Sequence, residues 1–420
     1  MSPQQLTSIL GIAVILGLAG LLSRNRKAIN WKTMAWGCGL QILFALVMLK
    51  TRFGVQFFKV ASDVATGLLN FQTEGAKFVF GGLGIPAGQT GSLGFFFAFQ
   101  VLTTIIFLAA LVSLLYYLGV MQKVVVVFAK LMAWTCKTSG AETLSVSAST
   151  FVGQTEAPLM VRPYVEKMTE SELFCIMASG MAHISCGLAV TYSMMLSPFI
   201  PNAAGHLMAA CLMAGPATLI IAKLIIPETG KPETMGIFHL EKDTSASNAI
   251  EAAANGTTTG LQLALNVGAM LVSFMALLAM CNWGVHYISG WFGYAEVGLE
   301  QIFGWILYPI AWLIGTPLQD CATVGQLIGM KTVLNEFVGY ANMTTMMTAN
   351  SAVMSPRAAL LALYALSGFA NILSIAIQIG GLSVMAPSRR SDLARLGPWA
   401  LLAGSLASFL TAAIVGLMIP

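Results

Sequence analysis

The stretch Gly-Gln-Thr-Glu-Ala-Pro at positions 153–158 places a carboxylate inside a chain that is 57% hydrophobic, and Leu-Asn-Glu-Phe at 334–337 does the same later in the chain. A carboxylate at the centre of a bilayer costs roughly 2.5–3.5 kcal/mol on insertion scales, so it needs a partner, water or a function. Each stretch also lies beside a predicted break in a helix, where backbone groups are freed to face a ligand. The two stretches therefore predict a buried solute site within a membrane.

The composition supports a membrane-embedded chain. Only 9% of its residues are charged, whereas a soluble domain carries roughly 25%. The net charge of +4 comes mostly from small clusters in connecting loops, which excludes nucleic acid as an expected partner. The seven cysteines are widely spaced, without a CxxC pair, and we expect them to be small packing residues. The sequence predicts an all-α polytopic membrane protein in contact with lipid.

Apolar runs long enough to cross the hydrocarbon core predict eight transmembrane helices. The N-terminus lacks the basic segment of a secretory signal, so the first run is predicted to be retained. Basic residues follow the first run and separate the last two, which predicts that both termini lie outside the inner (plasma) membrane. The eight runs cover 6–22, 34–49, 95–119, 173–196, 207–226, 261–288, 358–379 and 399–419.

Two regions, 139–164 and 301–340, are too polar for a lipid-facing crossing and too apolar for a loop. The second contains the break Gly-Thr-Pro at 315–317. A re-entrant helical hairpin satisfies both properties, because its tip stays hydrogen-bonded while it lines a cavity. Helical spacing of apolar residues over 57–71 predicts an interfacial helix as well.

The order of these elements predicts two inverted repeats within one membrane-embedded unit. Repeats of this kind place the substrate where the broken helices of the two halves meet, near the midplane. The predicted division is a peripheral scaffold with the interfacial helix at 1–94, a first repeat at 95–226, a polar loop with a short amphipathic helix at 227–260, and a second repeat at 261–420.

The first polar stretch has the chemistry of a base-binding tip. Thr155 and Pro158 suit the start of a helix, which would present backbone donors beside Gln154 and Glu156. Gln154 offers a donor and an acceptor, the pattern that pairs with the polar edge of a heterocyclic base. The alternative is a structural tip that bonds only to its own backbone.

The second polar stretch has the chemistry of a sugar site. Glu336 beside Asn335 supplies acceptors for both hydroxyls of a vicinal diol, in charge-assisted bonds. The alternative is a salt bridge between Glu336 and Lys331, about one turn earlier. Further along, Phe369, Asn371 and Ser374 lie close together on an apolar crossing, where Asn371 and Ser374 share one helix face.

Three stretches in this order resemble the concentrative nucleoside transporter family. They are Gly-Gln-Thr-Glu-Ala-Pro at 153–158, Leu-Asn-Glu-Phe-Val-Gly-Tyr at 334–340, and the run from Gly368 to Gly381. Supporting similarity occurs at 75–81 and 308–312, so the likeness spans nearly the whole chain.

The resemblance implies a homotrimer in which each protomer moves a nucleoside by cation symport, with no cofactor besides the coupling cation. It implies that Gln154, Thr155 and Glu156 face the nucleobase and that Glu336, Asn371 and Ser374 face the ribose. It places Phe369 and Leu188 in the lining of the pocket.

In sodium-coupled members of the family, the resemblance implies a cation site built from an Asn, two backbone carbonyls and a hydroxyl residue. The matching positions here are Ser149, Val152, His183 and Ile184. Imidazole nitrogen suits Na⁺ poorly, whereas histidine can carry a proton. We therefore expect proton coupling rather than sodium coupling. The alternatives are a weakened sodium site, because Ser149 keeps an oxygen, and a neutral structural role for His183.

Two other functions compete with symport. One is a membrane-embedded enzyme that uses Glu156 and Glu336 as its acid and base, but the sequence has no nucleophile beside a base and no HExxH motif. A passive channel is the other alternative. Among transported solutes, a free nucleobase would leave the predicted ribose-binding groups unpaired, at about 1–3 kcal/mol each.

Overall fold

The computed structural model describes residues 2–86, 89–136, 138–154, 156–236, 246–291, 297–350 and 352–419. Helices and short connections make up these residues, with no strand among them, which confirms the predicted all-α class. In chain order the helices are α1 (Pro3–Leu21), α2 (Trp31–Lys50), α3 (Arg52–Phe80), α4 (Phe97–Gln100), α5 (Leu102–Tyr117), α6 (Val120–Cys136), α7 (Gly140–Ser149), α8 (Glu156–Leu159), α9 (Arg162–Val165), α10 (Glu170–Ala182), α11 (Cys186–Leu196), α12 (Ala203–Ile225), α13 (Ala249–Gly290), α14 (Leu299–Leu313), α15 (Cys321–Val333), α16 (Glu336–Ala349), α17 (Pro356–Leu366), α18 (Ile372–Met385) and α19 (Arg390–Met418).

Six stretches of the described chain are long and apolar enough to cross a membrane, and each coincides with a predicted crossing. The predicted crossing at 261–288 lies within the 42-residue helix α13, and the one at 358–379 corresponds to the shorter helices α17 and α18. The total of eight crossings therefore stays a prediction. The six stretches are Pro3–Leu21, Trp31–Lys50, Phe97–Tyr117, Glu170–Leu196, Ala203–Ile225 and Pro387–Met418.

Two predicted crossings are interrupted where the sequence suggested continuous helices. The run at 173–196 is divided between α10 and α11, and the run at 358–379 between α17 and α18. Ser185 caps α11 and Asn371 caps α18, each accepting a hydrogen bond from a backbone N–H of the new helix. Such side chains offer the backbone a local alternative to helix continuation, so each crossing restarts at its cap.

The two interruptions lie against each other. The backbone N–H of Phe369 approaches the carbonyl oxygen of His183 at 3.4 Å. A Cβ atom on Gly368 would lie 2.8 Å from the carbonyl oxygen of Ala182, so only glycine permits this approach of the two backbones. The unwound segments of α10–α11 and α17–α18 therefore meet at one place in the fold.

The two regions predicted as hairpins both contain short helices joined by turns. In the first, Ser139 caps α7, and α8 and α9 follow the turn at its far end. In the second, α14 ends before Gly315, which has a φ of +92°, and the helices joined by a tight turn are α15 and α16. This pair covers 321–349, so it begins and ends later than the predicted range of 301–340, because Gly315 separates α14 from it. The re-entrant character of both regions stays a prediction.

Helices α12 and α19 form the centre of the structure, where α19 packs against α1, α2, α10, α12, α17 and α18. Outside this core, α13 packs along α5. Gly256 and Gly260, one turn apart on α13, face the backbone of Ala109, Ala110 and Ile106 on α5. Small residues four apart allow this close helix contact.

The polar tract and the interfacial helix differ in part from their predictions. The amphipathic helix predicted to end the 227–260 segment is not separate, because its residues form the first turns of α13. Residues 237–245 of the predicted loop lie outside the described part of the chain. The interfacial helix predicted at 57–71 lies within the longer helix α3.

Candidate functional site

Glu336 is buried at the start of α16, where two side chains from broken crossings donate hydrogen bonds to it. Tyr192 Oη donates to Oε1 over 3.0 Å, and Asn371 Nδ2 donates to Oε2 over 3.3 Å. The side chain of Asn335 caps the same helix by accepting from the backbone N–H of Val338 at 2.8 Å. The positive end of the helix dipole and the two donors all favour a carboxylate at this position.

The alternative salt bridge between Lys331 and Glu336 is not formed in this structure. Among the described residues no carboxylate lies within ion-pair distance of Lys331, and its buried Nζ has no hydrogen-bond partner. The Nζ atom lies 5.9 Å from the centroid of the Phe409 ring. The hydrogen bonds to Glu336 from Tyr192 and Asn371 therefore hold it without a direct contact to Lys331.

A continuous series of hydrogen bonds joins the predicted base-binding and ribose-binding residues. Gln154 Nε2 donates to Ser374 Oγ at 3.3 Å. The backbone N–H of Ser374 donates to Asn371 Oδ1 at 2.9 Å, and the amide of Asn371 donates to Glu336. The structure thus brings together four residues that are up to 220 positions apart in the sequence.

Three of the remaining predicted site residues lie at or near the start of a helix. Glu156 begins α8, and its Oε2 would be 2.2 Å from a Cβ atom on Gly153, so the carboxylate folds back over that glycine. Leu188 is buried in the first turn of α11, and Phe369 is half-buried in the segment between α17 and α18. Thr155 lies outside the described residues.

The predicted cation residues are buried, and the side chains of two of them have a hydrogen-bond partner in the preceding helical turn. Ser149 Oγ donates to the carbonyl of Ser145 at 3.0 Å. His183 Nδ1 lies 2.9 Å from the carbonyl oxygen of Ser179, whereas its Nε2 has no hydrogen-bond partner. Val152 and Ile184 are buried as well.

Two cysteine thiols lie beside the candidate cation residues, and each donates a hydrogen bond to a backbone carbonyl. Cys211 Sγ donates to the carbonyl of Ile184 at 3.3 Å, and Cys186 Sγ donates to the carbonyl of Thr150 at 3.0 Å. The second bond joins the start of α11 to the segment that follows Ser149. Within the described part of the chain, no cluster of three or more His, Cys, Asp or Glu side chains has the arrangement of a metal site.

Sequence reasoning missed two residues of the site, Tyr192 and Gln378. Gln378 Nε2 donates to the carbonyl of Met177 at 3.0 Å and to Gln154 Oε1 at 3.4 Å. Helical spacing contained a signal for both, because Tyr192 follows Leu188 by four residues and Gln378 follows Ser374 by four. Residues four apart lie on the same face of a helix.

Comparison with known proteins agrees with this architecture over the whole chain. Family models described as the N-terminus and the C-terminus of a Na⁺ dependent nucleoside transporter match residues 10–83 and 206–416. A third model, described as nucleoside recognition, matches residues 98–199.

Similar full-length proteins and structures are also known. An uncharacterized transporter of Haemophilus influenzae is 45% identical, over 99% of this chain and 98% of its own length. The nucleoside permease NupC of Helicobacter pylori is 36% identical over 99% and 98%. The structure of CNTnw in an inward-facing substrate-bound state is 41% identical, with a TM-score of 0.90 over 98% of this chain and 97% of that one.

These matches confirm the resemblance drawn from the three polar stretches. They also confirm that the chain is a multi-pass protein of the bacterial inner membrane and a transporter rather than an enzyme. The chain belongs to the concentrative nucleoside transporter family.

Proposed function

We propose that the chain imports nucleosides across the inner membrane together with protons. The observation that carries the proposal is the hydrogen-bonded series from Gln154 through Ser374 and Asn371 to Glu336. It places amide and hydroxyl groups at one end and a carboxylate at the other. A neutral solute with a polar heterocycle and a vicinal diol matches both ends.

Glu336 already accepts two hydrogen bonds, but its carboxylate can also accept hydrogen bonds from the two hydroxyls of a diol. An ionised carboxylate has about four lone-pair positions, so two further hydroxyl donors can be accepted. Asn371 and Ser374 would complete this part of the site. Phosphorylated nucleosides would be rejected, because the site offers acidic groups and no arginine cluster.

The base end would be formed by Gln154, Thr155 and Glu156, with Phe369 and Leu188 as its apolar walls. Gln154 lies next to Ser374, so base and ribose groups are within the reach of one nucleoside. Glu156 at the start of α8 would supply an acceptor for an N–H group of the base.

Replacement of Glu156 by Gln is expected to raise the half-saturating concentration for nucleoside uptake about tenfold, because a charge-assisted hydrogen bond becomes a neutral one. Concentration dependence of labelled nucleoside uptake measures this effect. Glu74→Gln, which removes an exposed carboxylate on α3, is the matched control. Unchanged half-saturation in the Glu156 variant would remove its assignment to the base.

Proton coupling is supported by the groups at the candidate cation positions. Sodium prefers several oxygen ligands, but here the hydroxyl of Ser149 is bonded to its own helix and a histidine stands at 183. The carbonyl of Ile184 accepts a hydrogen bond from the Cys211 thiol and so has a partner without a cation. Sodium symport is the second candidate, because the matching family models are described as Na⁺ dependent.

Uptake of labelled nucleoside into proteoliposomes under imposed gradients tests the proposal. We expect accumulation above the external concentration when the outside is acidic, loss of accumulation with a protonophore, and no response to a sodium gradient. Accumulation driven by sodium alone would overturn proton coupling. Equilibration without accumulation would indicate a passive channel.

The double substitution Ser149→Asn and His183→Ser is expected to make uptake dependent on sodium, because it replaces imidazole nitrogen with oxygen ligands. Sodium titration of uptake in proteoliposomes measures this change. The two single variants are controls, each supplying only part of the ligand set. A double variant that still responds to pH and ignores sodium would contradict the role of these positions.

We also propose that the chain contains two repeats, at 95–226 and 261–420. We propose further that it forms a homotrimer in which each protomer holds one site. Two parallel arrangements support the repeats. Ser139, the cap of α7, donates to Glu172 in the first turn of α10 at 2.5 Å. Ser355, the cap of α17, donates to Asp320 at the start of α15 at 2.6 Å. In each half, the first helix of the hairpin region is thus bonded to the start of the broken crossing that follows.

A further inference from the structure

Gln378 lies where three parts of the proposed site meet. Its side chain comes from α18, contacts the carbonyl of Met177 on α10, and reaches Gln154 in the first hairpin region. It is 1% exposed. Its position is therefore fixed by packing from all three elements.

The backbone carbonyl of Met177 determines which way the Gln378 amide points. A carbonyl oxygen can only accept hydrogen bonds, so the amide nitrogen of Gln378 must face it. The same nitrogen has a second N–H, which is directed to Gln154 Oε1 at 3.4 Å. With its oxygen held in this way, Gln154 turns its own nitrogen towards Ser374.

Gly180 provides the space for this arrangement. A Cβ atom at that position would lie 2.2 Å from Gln378 Nε2 and 3.0 Å from Gln154 Cβ. Both distances are shorter than a normal contact, so any larger residue would displace one or both amides. Gly180 lies three residues after Met177 on α10, on the same face.

We propose that Gln378 is a specificity-determining positioning residue that fixes Gln154 as a hydrogen-bond donor towards the nucleobase. This inference rests on the proposed function and extends it. An amide that cannot rotate keeps its nitrogen on the side of Ser374, so its second N–H is the group offered to the base. This favours a base with a carbonyl oxygen at that edge over one with an amino group. A freely rotating amide would accept either base by exchanging its nitrogen and oxygen.

Uptake kinetics for two matched substrate pairs, uridine with cytidine and inosine with adenosine, test the proposal. We expect the wild-type protein to prefer the carbonyl-bearing member of each pair. Gln378→Leu removes both N–H donors and should move the ratio of kcat/KM within each pair towards one, by about threefold to tenfold, the range of one neutral hydrogen bond. Discrimination between ribonucleosides and their 2′,3′-dideoxy analogues should not change.

Gly180→Ala is a second, independent variant, because it displaces the Gln378 amide without altering it. Its effect on the substrate ratio should resemble that of Gln378→Leu, and the double variant should be no worse than either single one. Gly380→Ala on α18 is the matched control, since a Cβ atom there meets nothing within 4 Å. It should leave the ratio unchanged.

Several outcomes would overturn the proposal. They are a wild-type protein without preference inside the pairs, an unchanged ratio in Gln378→Leu, and additive effects in the double variant. Equal loss for every substrate would indicate a structural role only. A wild-type protein that takes up no nucleoside at all would instead contradict the proposed function, so the two failures are distinguishable.

Discussion

Glu336→Gln is expected to lower kcat/KM for ribonucleosides about 10-fold to 100-fold, which corresponds to roughly 1.5–3 kcal/mol for charge-assisted hydrogen bonds. Glutamine keeps the shape of the side chain but replaces one acceptor oxygen with a donor nitrogen. That nitrogen would face Tyr192 or Asn371, both of which donate to Glu336. The variant thus loses the acceptor that a diol requires.

The comparison with 2′,3′-dideoxynucleosides separates diol recognition from general damage to the site. These analogues lack both hydroxyls, so their transport should fall much less in the variant. Glu300→Gln is the matched control, because Glu300 is not one of the proposed site residues. Its two carboxylate oxygens accept hydrogen bonds from Asn282 Nδ2, at 3.0 Å and 2.8 Å. If ribonucleosides and dideoxynucleosides lose activity equally, Glu336 does not recognise the diol.

Much of the candidate site could be predicted from local sequence, because its residues cluster near helix starts. Asn371 and Ser374, three residues apart, are predicted to share a helix face, whereas in the structure Asn371 precedes α18 as its cap and its side chain accepts a hydrogen bond from the backbone N–H of Ser374. Asn335 precedes Glu336 directly and caps its helix. Short polar patterns of this kind are visible in a single sequence because their physics is local.

The helix breaks could not be located from apolar runs. Residues 183–185 contain histidine, isoleucine and serine, with no glycine or proline to mark an interruption. Hydropathy over the whole stretch is high enough for a crossing although the helix stops after Ala182. The interruption depends on a cap at Ser185 and on the neighbouring break near Phe369, and the second of these is a tertiary contact.

The ionic cluster of Lys223, Glu142 and Glu228 was also not predicted from the sequence, because it too depends on tertiary contacts. The sequence predicted a surface loop after α12, but Glu228 and Thr234 in that loop reach back to helix starts. Thr169 Oγ1 donates to Glu228 Oε2 at 2.8 Å, and the carbonyl of Thr234 accepts from the N–H of Gly140 at 2.8 Å. No local sequence pattern relates residues so far apart. From sequence alone, a polar loop that packs against helix starts therefore cannot be distinguished from a solvent-exposed loop.

Lys223→Met is expected to destabilise the protein by about 3–5 kcal/mol, the range for breaking a buried ion pair from one side. Lys223 Nζ lies 2.6 Å from Glu142 Oε2 and 3.7 Å from Glu228 Oε2, and it donates to Ser171 Oγ at 2.9 Å. Glu142 is 1% exposed. Without the ammonium group, its carboxylate would be buried without a compensating charge. Thermal or denaturant unfolding in detergent measures the loss.

The second substitution Glu142→Gln should restore most of the stability lost in Lys223→Met, because it removes the charge that the first leaves uncompensated. Glutamine keeps the oxygen that accepts from the backbone N–H of Ser139 at 2.8 Å, so the cap of α7 would be preserved. Lys231→Met, in the exposed part of the loop, is the control and should have little effect. A double variant as unstable as Lys223→Met would show that Lys223 acts mainly through Ser171 and Glu228, and that its pairing with Glu142 contributes little.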